Sequence, residues 1–118
     1  MPTSRFEEPE AATVVEVAEA LRLGLPPAEV SALLVGAALH DGDRTGVQDL
    51  CLDLMAGADR EVAAVAATCL GHLARIHREL DVDRVVPALT AALRDPATAG
   101  RADDALDDLE TYLPSTAM

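Results

Sequence analysis

Acidic and histidine side chains supply the few candidates for chemistry in this chain. The segment HDGDRTG, residues 40–46, places Asp41, Asp43 and Gly46 at the spacing that opens a calcium-binding loop, D-x-D-x-x-G. The twelfth position of such a loop needs a bidentate glutamate and is Leu52 here. We therefore expect no calcium site, and we expect Asp43 to cap the helix that follows it.

The histidines and cysteines do not form a metal-binding or catalytic pattern. His72 and His77 are separated by about 140° around a helix, so they cannot share one metal ion from the same helix. Cys51 and Cys69 do not form a C-x-x-C pair and are flanked by apolar residues, which is typical of buried free thiols. With no serine-hydrolase elbow and no glycine-rich phosphate loop, the sequence predicts a protein without catalytic residues, metal or cofactor.

A cluster of acids near the C-terminus is the strongest functional signal. Five acids fall within eight residues, answered nearby only by Arg101: Asp103, Asp104, Asp107, Asp108 and Glu110. Like charges four residues apart weaken a helix by a few tenths of a kcal/mol per pair, so the cluster is costly for the isolated chain. It is expected opposite an apolar stripe, on a solvated face, where carboxylates are not tuned for catalysis. Two interpretations stay open: a solvated face without a task, or a contact surface for a basic partner.

The overall charge narrows the class of partner. Nine arginines and no lysine face 21 acids, giving a formal charge of −12 over 118 residues. Nucleic acid and anionic membranes are unfavourable partners for such a chain, whereas a basic protein is electrostatically complementary. The N-terminal residues lack the apolar segment of a secretory signal, and the apolar run 33–39 is too short to span a bilayer. We expect a cytoplasmic protein whose oligomeric state the sequence leaves open.

Apolar periodicity predicts six helices and no strands. The chain is expected to have a disordered tail at 1–8, one helical domain at 9–114 and a loose tail at 115–118. The first helix is expected from Pro9 to about Leu23, and the sixth from about Thr98 to Leu113. Asp59 is expected to cap the fourth helix, and Asp81 or Asp83 the fifth.

The last two predicted helix pairs repeat one another in spacing. Apolar residues of the third helix recur in the fifth at an offset of 39, and those of the fourth recur in the sixth at an offset of 36. The first set is Val47, Leu50 and Leu54, matched by Val86, Leu89 and Leu93. The second is Ala66, Cys69, Leu70, Leu73 and Ile76, matched by Ala102, Ala105, Leu106, Leu109 and Tyr112.

The segment LMAGADREVAAVAATCLG, residues 54–71, resembles the core of a HEAT repeat, whose pattern is LLxDxDxxVRxxAAxALG. Gly57 and Ala63 depart from that pattern. The resemblance implies a right-handed α-solenoid-like stack of about three antiparallel helix pairs, in which each pair buries its apolar face on its neighbours. On the fourth helix, Ala67 and Gly71 lie away from the main apolar stripe, where they would either receive a partner or pack on the next repeat.

Longer phrases resemble small bacterial HEAT-like proteins, some of which are immunity proteins of toxin–immunity pairs: LVGAALHD, VQDLCLDL, AATCLGHLARIHRELD and GRADDALDDLE. This resemblance implies a cytoplasmic protein that neutralises a basic toxin domain, of which a nuclease is one candidate. The expected contacts are first the acids at 103, 104, 107, 108 and 110, then Asp49 and Asp53, and also His72. The alternative is a general HEAT-like scaffold or regulator that docks another protein or a peptide.

Overall fold

The computed structural model describes residues 10–114, and all regular structure in that range is helical. The six helices are α1 (Val14–Arg22), α2 (Pro27–His40), α3 (Arg44–Met55), α4 (Arg60–His77), α5 (Val82–Ala92) and α6 (Ala99–Tyr112). The prediction of an all-α protein is confirmed for this part of the chain. The predicted tails, 1–8 and 115–118, and Pro9 lie outside the described residues. Within 10–114, no helix has both the length and the apolarity needed to cross a membrane.

Helix α4 is the central element, because it packs on α2, α3 and α6 at once. Alanine is the commonest of its buried residues, four of nine, and Leu70 and Leu73 are fully enclosed. Small side chains allow the neighbouring helices to approach closely, which suits a core almost free of aromatic residues. The second helix of each consecutive pair contacts the next, α2 to α4 to α6, far more extensively than α1, α3 and α5 contact one another. Helices α2, α4 and α6 therefore form one contiguous layer.

Gly71 sets the contact between α4 and α6. A Cβ atom at this position would lie 3.3 Å from the Cα of Ala105 and 2.6 Å from Oδ2 of Asp108. Ala67 and Gly71 are both buried. Of the two alternatives for this side of α4, packing on the neighbouring helix is the one observed.

Local capping rules predicted two helix starts correctly. The carboxylate of Asp43 accepts the backbone N–H of Gly46 (2.9 Å), and that of Asp59 accepts those of Glu61 and Val62 (both 3.0 Å). Each bond satisfies an N–H group that has no partner within its own helix.

One other predicted helix start was wrong; for α5 the N-cap position is Asp81, as predicted, but its side chain makes no capping bond. Helix α1 begins at Val14 rather than at Pro9, because Thr13 and Glu16 form a reciprocal capping box. Neither Asp81 nor Asp83 caps α5 through its side chain; Asp81 instead donates its backbone N–H to Oε1 of Gln48 (2.8 Å). Pro87 falls in the second turn of α5, where a missing N–H weakens the helix.

The predicted apolar stripe of α5 was also partly wrong. Val86 and Leu93 are 37% and 39% exposed, whereas Val85 and Leu89 are fully buried. The buried positions of α5 thus follow Val47 and Cys51 of α3 at an offset of 38 residues rather than 39. Ile76 of α4, predicted to point inward, is 43% exposed. Apolar side chains of α4 and α5 are therefore left on the surface.

Cys51 and Cys69 are free and fully buried, as predicted. They lie on α3 and α4, where a hydrogen bond between the two thiols and the loss of solvent both raise the pKa of Cys51 well above its ordinary value. Both side chains serve as small apolar groups of the core.

Asp41, one of the candidate calcium ligands, forms hydrogen bonds to the backbone of two segments. Its Oδ2 accepts the backbone N–H of Val14 and its Oδ1 accepts that of Asp43, each at 2.9 Å. These bonds tie the start of α1 to the turn between α2 and α3. Both bonds stabilise the carboxylate, the one from Asp43 more than the one from Val14. They hold the pKa of Asp41 below its ordinary value of 3.8.

We expect Asp41→Ala to lower the free energy of unfolding at pH 7 by about 1 kcal/mol, since it removes acceptors from two backbone N–H groups. A carboxylate with a lowered pKa stabilises the fold above its unfolded pKa, and this contribution is lost as pH falls through the folded value. In urea titrations, the difference in unfolding free energy between wild type and Asp41→Ala should therefore become smaller as the pH is lowered from about 5 to about 2. A difference that stayed constant over this range would contradict the assignment.

A glycine pair tests the packing of the N-terminal residues on α2. A Cβ on Gly36 would collide with the backbone carbonyl of Glu10, whereas a Cβ on Gly100 would meet nothing within 4 Å. We expect Gly36→Ala to lower stability by about 1–3 kcal/mol, because backbone must move. Gly100→Ala should raise it by roughly 0.5 kcal/mol, because alanine has the better helix propensity. Thermal unfolding of both variants measures the difference, and a shift of the same sign in both would contradict the packing.

Candidate protein-binding surface

Helix α6 presents three different surfaces to its surroundings. Ala102, Ala105 and Leu109 recur at spacings of three and four residues and are buried against the rest of the domain. This inward stripe fixes the rotation of the helix. The residues between these positions must then face α4, face α5 or point to solvent.

The surface towards α4 carries polar contacts. Nη1 of Arg101 donates to Oγ1 of Thr68 (2.8 Å), and the guanidinium of Arg78 lies 5.3 Å from the centroid of the Tyr112 ring. The carboxylate of Asp108 lies over Gly71, which leaves this side chain half-buried. Asp108 is therefore part of the α4–α6 contact, and it is less accessible to a partner than the sequence predicted.

The surface towards solvent carries the exposed part of the acidic cluster. Carboxylate oxygens of Asp103, Asp104 and Asp107 all lie within 4.8 Å of one another, and the three side chains are exposed. Glu110, three residues further on, is exposed as well. Within residues 10–114, none of the five acids of the cluster has an arginine at ion-pair distance. We call Asp103, Asp104, Asp107 and Glu110 the acidic face of α6.

Three arginines close to α4 and α6 have other partners. Arg60 pairs with Asp95 (2.7 Å) and also donates to the carbonyl of Met55 (3.0 Å). Hydrogen bonds from the backbone N–H of Ala97 and, to a lesser degree, from the side chain of Arg60 hold the pKa of Asp95 below its ordinary value. Arg101 and Arg78 contact Thr68 and the Tyr112 ring, so none of these three arginines forms an ion pair with the acidic face.

The second predicted acid pair, Asp49 and Asp53, differs in this respect. Oδ1 of Asp49 accepts a hydrogen bond from Nη1 of Arg84 (2.8 Å), and Asp81 lies 3.7 Å from the same nitrogen. Asp49 is the largest cause of the raised pKa of Arg84. Asp53 is exposed. Because Asp49 links α3 to α5 within the chain, this pair offers a partner less free charge than the acidic face.

His72 lies beside the α4–α6 contact. It is half-buried, and within residues 10–114 its Nδ1 is enclosed without a hydrogen-bond partner. Burial lowers the pKa of His72 below its ordinary value of 6.5, Arg75 lowers it further, and Asp108 opposes both. The structure thus places His72 near one predicted contact, Asp108.

Sequence reasoning missed an apolar groove between α5 and α6. The groove has a volume of about 520 Å³, with Glu110 at its edge. Its apolar lining consists of Val82, Val86, Leu106, Leu109, Leu113 and Pro114. The sequence did contain a signal for this groove. Helix α5 and the residue after it carry more large apolar side chains than one buried stripe requires: Val82, Val85, Val86, Leu89 and Leu93.

Comparison with known proteins gives a likeness to a solved structure. No family model matches the chain, and no curated protein matches it. A protein chain in the crystal structure of a CDI (contact-dependent inhibition) complex from Cupriavidus taiwanensis LMG 19424 is 28% identical, with a TM-score of 0.80. The alignment covers 93% of this chain and 96% of that chain. The likeness extends over almost the whole of both proteins.

The stability of the free protein should respond to the titration of His72. A lowered folded pKa means that the unfolded chain binds more protons just below pH 6.5, so stability should fall as pH is lowered from 7 to 5. We expect His72→Gln to flatten this dependence. Urea denaturation at several pH values measures both slopes; equal slopes in wild type and H72Q would contradict the role of His72.

Proposed function

We propose that this protein is a non-catalytic immunity protein that binds a cognate basic toxin domain and covers its active surface. The observation that carries the proposal is the likeness to a chain of a CDI complex over 93% of this sequence, at 28% identity. The charge of −12 supports the choice of a basic partner. An immunity protein of this kind acts in the cytoplasm, where the toxin would otherwise reach its target.

The acidic face of α6 is the proposed first contact. Its carboxylates lie together, are exposed and have no arginine partner within 10–114, so they present a concentrated negative field. A field of this kind accelerates the encounter with a cationic surface. If the toxin is a nuclease, these carboxylates would occupy the place of the phosphates of its substrate. Asp108, Asp53 and His72 are secondary candidates, and Asp49 is the weakest because of its bond to Arg84.

We place the helices in a right-handed HEAT-like stack of three antiparallel pairs. Support comes from the contacts that join α2 to α4 and α4 to α6, with few contacts among the other three helices. A role without catalysis is supported by the exposure of the clustered carboxylates, since acid–base catalysis needs a carboxyl tuned by burial. In this arrangement the acidic face lies on the last helix, accessible to a large partner.

Genetics provides the direct test of the proposed function. The reading frame immediately upstream of this gene would be cloned in a host with and without the gene under separate control. We expect viable clones only when the gene is present, and co-purification of the two products. Equal recovery of clones in both cases, with no co-purification, would refute the immunity function and leave the scaffold alternative.

Charge neutralisation tests the acidic face. We expect Asp103→Asn/Asp107→Asn to slow association with the upstream gene product roughly tenfold at low salt, with a smaller effect at high salt. The same variant should stabilise the free protein by a few tenths of a kcal/mol, because a repulsive pair four residues apart is removed. Stopped-flow association and thermal unfolding measure the two effects.

Glu10→Gln/Glu29→Gln is the matched control, since it changes the net charge equally at exposed positions on the N-terminal side. It should alter the association rate much less. Equal slowing in both double variants would mean that net charge, and not the acidic face, governs association.

A further inference from the structure

The α5–α6 groove is an apolar depression that borders the acidic face. Val82 and Val86 are 42% and 37% exposed along it. Its floor is formed by Leu106 and Leu109 of α6, and its end by Leu113 and Pro114. Exposed aliphatic side chains that converge on one depression mark a surface that another molecule can cover.

The margin of this groove is negatively charged. Glu110 lines it, and Asp107 and Asp103 precede Glu110 by three and seven residues, which places the three carboxylates along one side of α6. Leu106 is four residues from Glu110 and therefore lies beside it. The apolar floor and the acidic face thus form one continuous amphipathic surface.

A second groove, between α1 and α2, differs in the state of its acids. Its volume is about 370 Å³, and Val15, Leu23 and Leu33 contribute to its lining. Glu16, at its edge, accepts the N–H of Thr13 in the capping box, and Glu19 pairs with Arg22. This groove therefore lacks the uncompensated charge that borders the α5–α6 groove.

We infer that the α5–α6 groove receives an apolar segment of a basic protein partner, with lysine or arginine residues beside that segment meeting Glu110, Asp107 and Asp103. The inference rests on the proposed function, since the basic toxin domain is the partner in question. Charge complementarity decides the occupant: a second copy of this chain carries a charge of −12 and is repelled. The groove supplies the buried anchor, and the acids supply steering and orientation.

Matched valine substitutions test the inference on the full chain and the product of the upstream reading frame. Val86→Arg fills the α5–α6 groove and adds one positive charge; Val15→Arg makes the same change at the α1–α2 groove, where the side chain is 74% exposed. We expect V86R to raise the Kd at least about 30-fold, chiefly through faster dissociation, and V15R to raise it less than about threefold. Circular dichroism and thermal unfolding establish that both variants remain folded.

Hydrogen exchange on the wild-type complex provides a measurement that does not depend on the folding of a variant. Amides of α5 and α6 should exchange more slowly in the complex than in the free protein, while those of α1 change little. Equal effects of V86R and V15R, or protection confined to α1 and α2, would overturn the groove assignment.

The outcomes also separate this inference from the proposed function. If V86R binds normally while D103N/D107N still slows association, the groove is not the anchor and the immunity function stands. If the wild-type protein forms no complex and the upstream frame is cloned without it, both proposals fail. If light scattering shows a dimer that V86R dissociates, the occupant is a second copy and the inference is wrong.

Discussion

The close approach of α4 and α6 at Gly71 is the constraint on which the rest of the structure depends. Because position 71 has no side chain, Ala105 packs directly against the α4 backbone. This contact fixes the position of α6 along α4 and, with the inward stripe, its rotation. The rotation then determines which residues face α4, which border α5 and which remain in solvent. The acidic face and the apolar groove are consequences of that single contact, as both lie on parts of α6 that α4 does not cover.

The distribution of arginine explains why negative charge persists on α6. With nine arginines for 21 acids, most acids cannot be paired, and the arginines are placed where they join separate elements. Arg60 and Arg84 connect residues that are 35 positions apart in sequence, through Asp95 and Asp49 respectively. Exposed ion pairs of this kind contribute little stability each, so their main effect is on geometry and on where charge remains uncompensated.

Local patterns in the sequence predicted much of the fold because they depend on neighbouring residues only. Asp43 and Asp59 cap helices as expected, and Ala102, Ala105 and Leu109 form the inward stripe of α6. Features that depend on distant residues could not be obtained in this way. In α5 the buried residue is Val85 rather than Val86. This helix has apolar side chains on several sides, so its periodicity does not fix its rotation, which depends on how α5 packs on the domain. The compensation of Asp49 by Arg84 and the partial burial of Asp108 over Gly71 likewise require the tertiary structure.

The position of Tyr112 has a spectroscopic consequence. The chain contains one tyrosine and no tryptophan, so the ultraviolet emission of the protein arises almost entirely from this ring. The ring lies at the end of α6, under the guanidinium of Arg78, one residue before Leu113 at the end of the groove. Any displacement of α6 relative to α4, or any molecule seated beside Leu113, alters the polarity around a lone fluorophore. The fold therefore contains an intrinsic optical reporter at the junction where its central helix meets its most charged one.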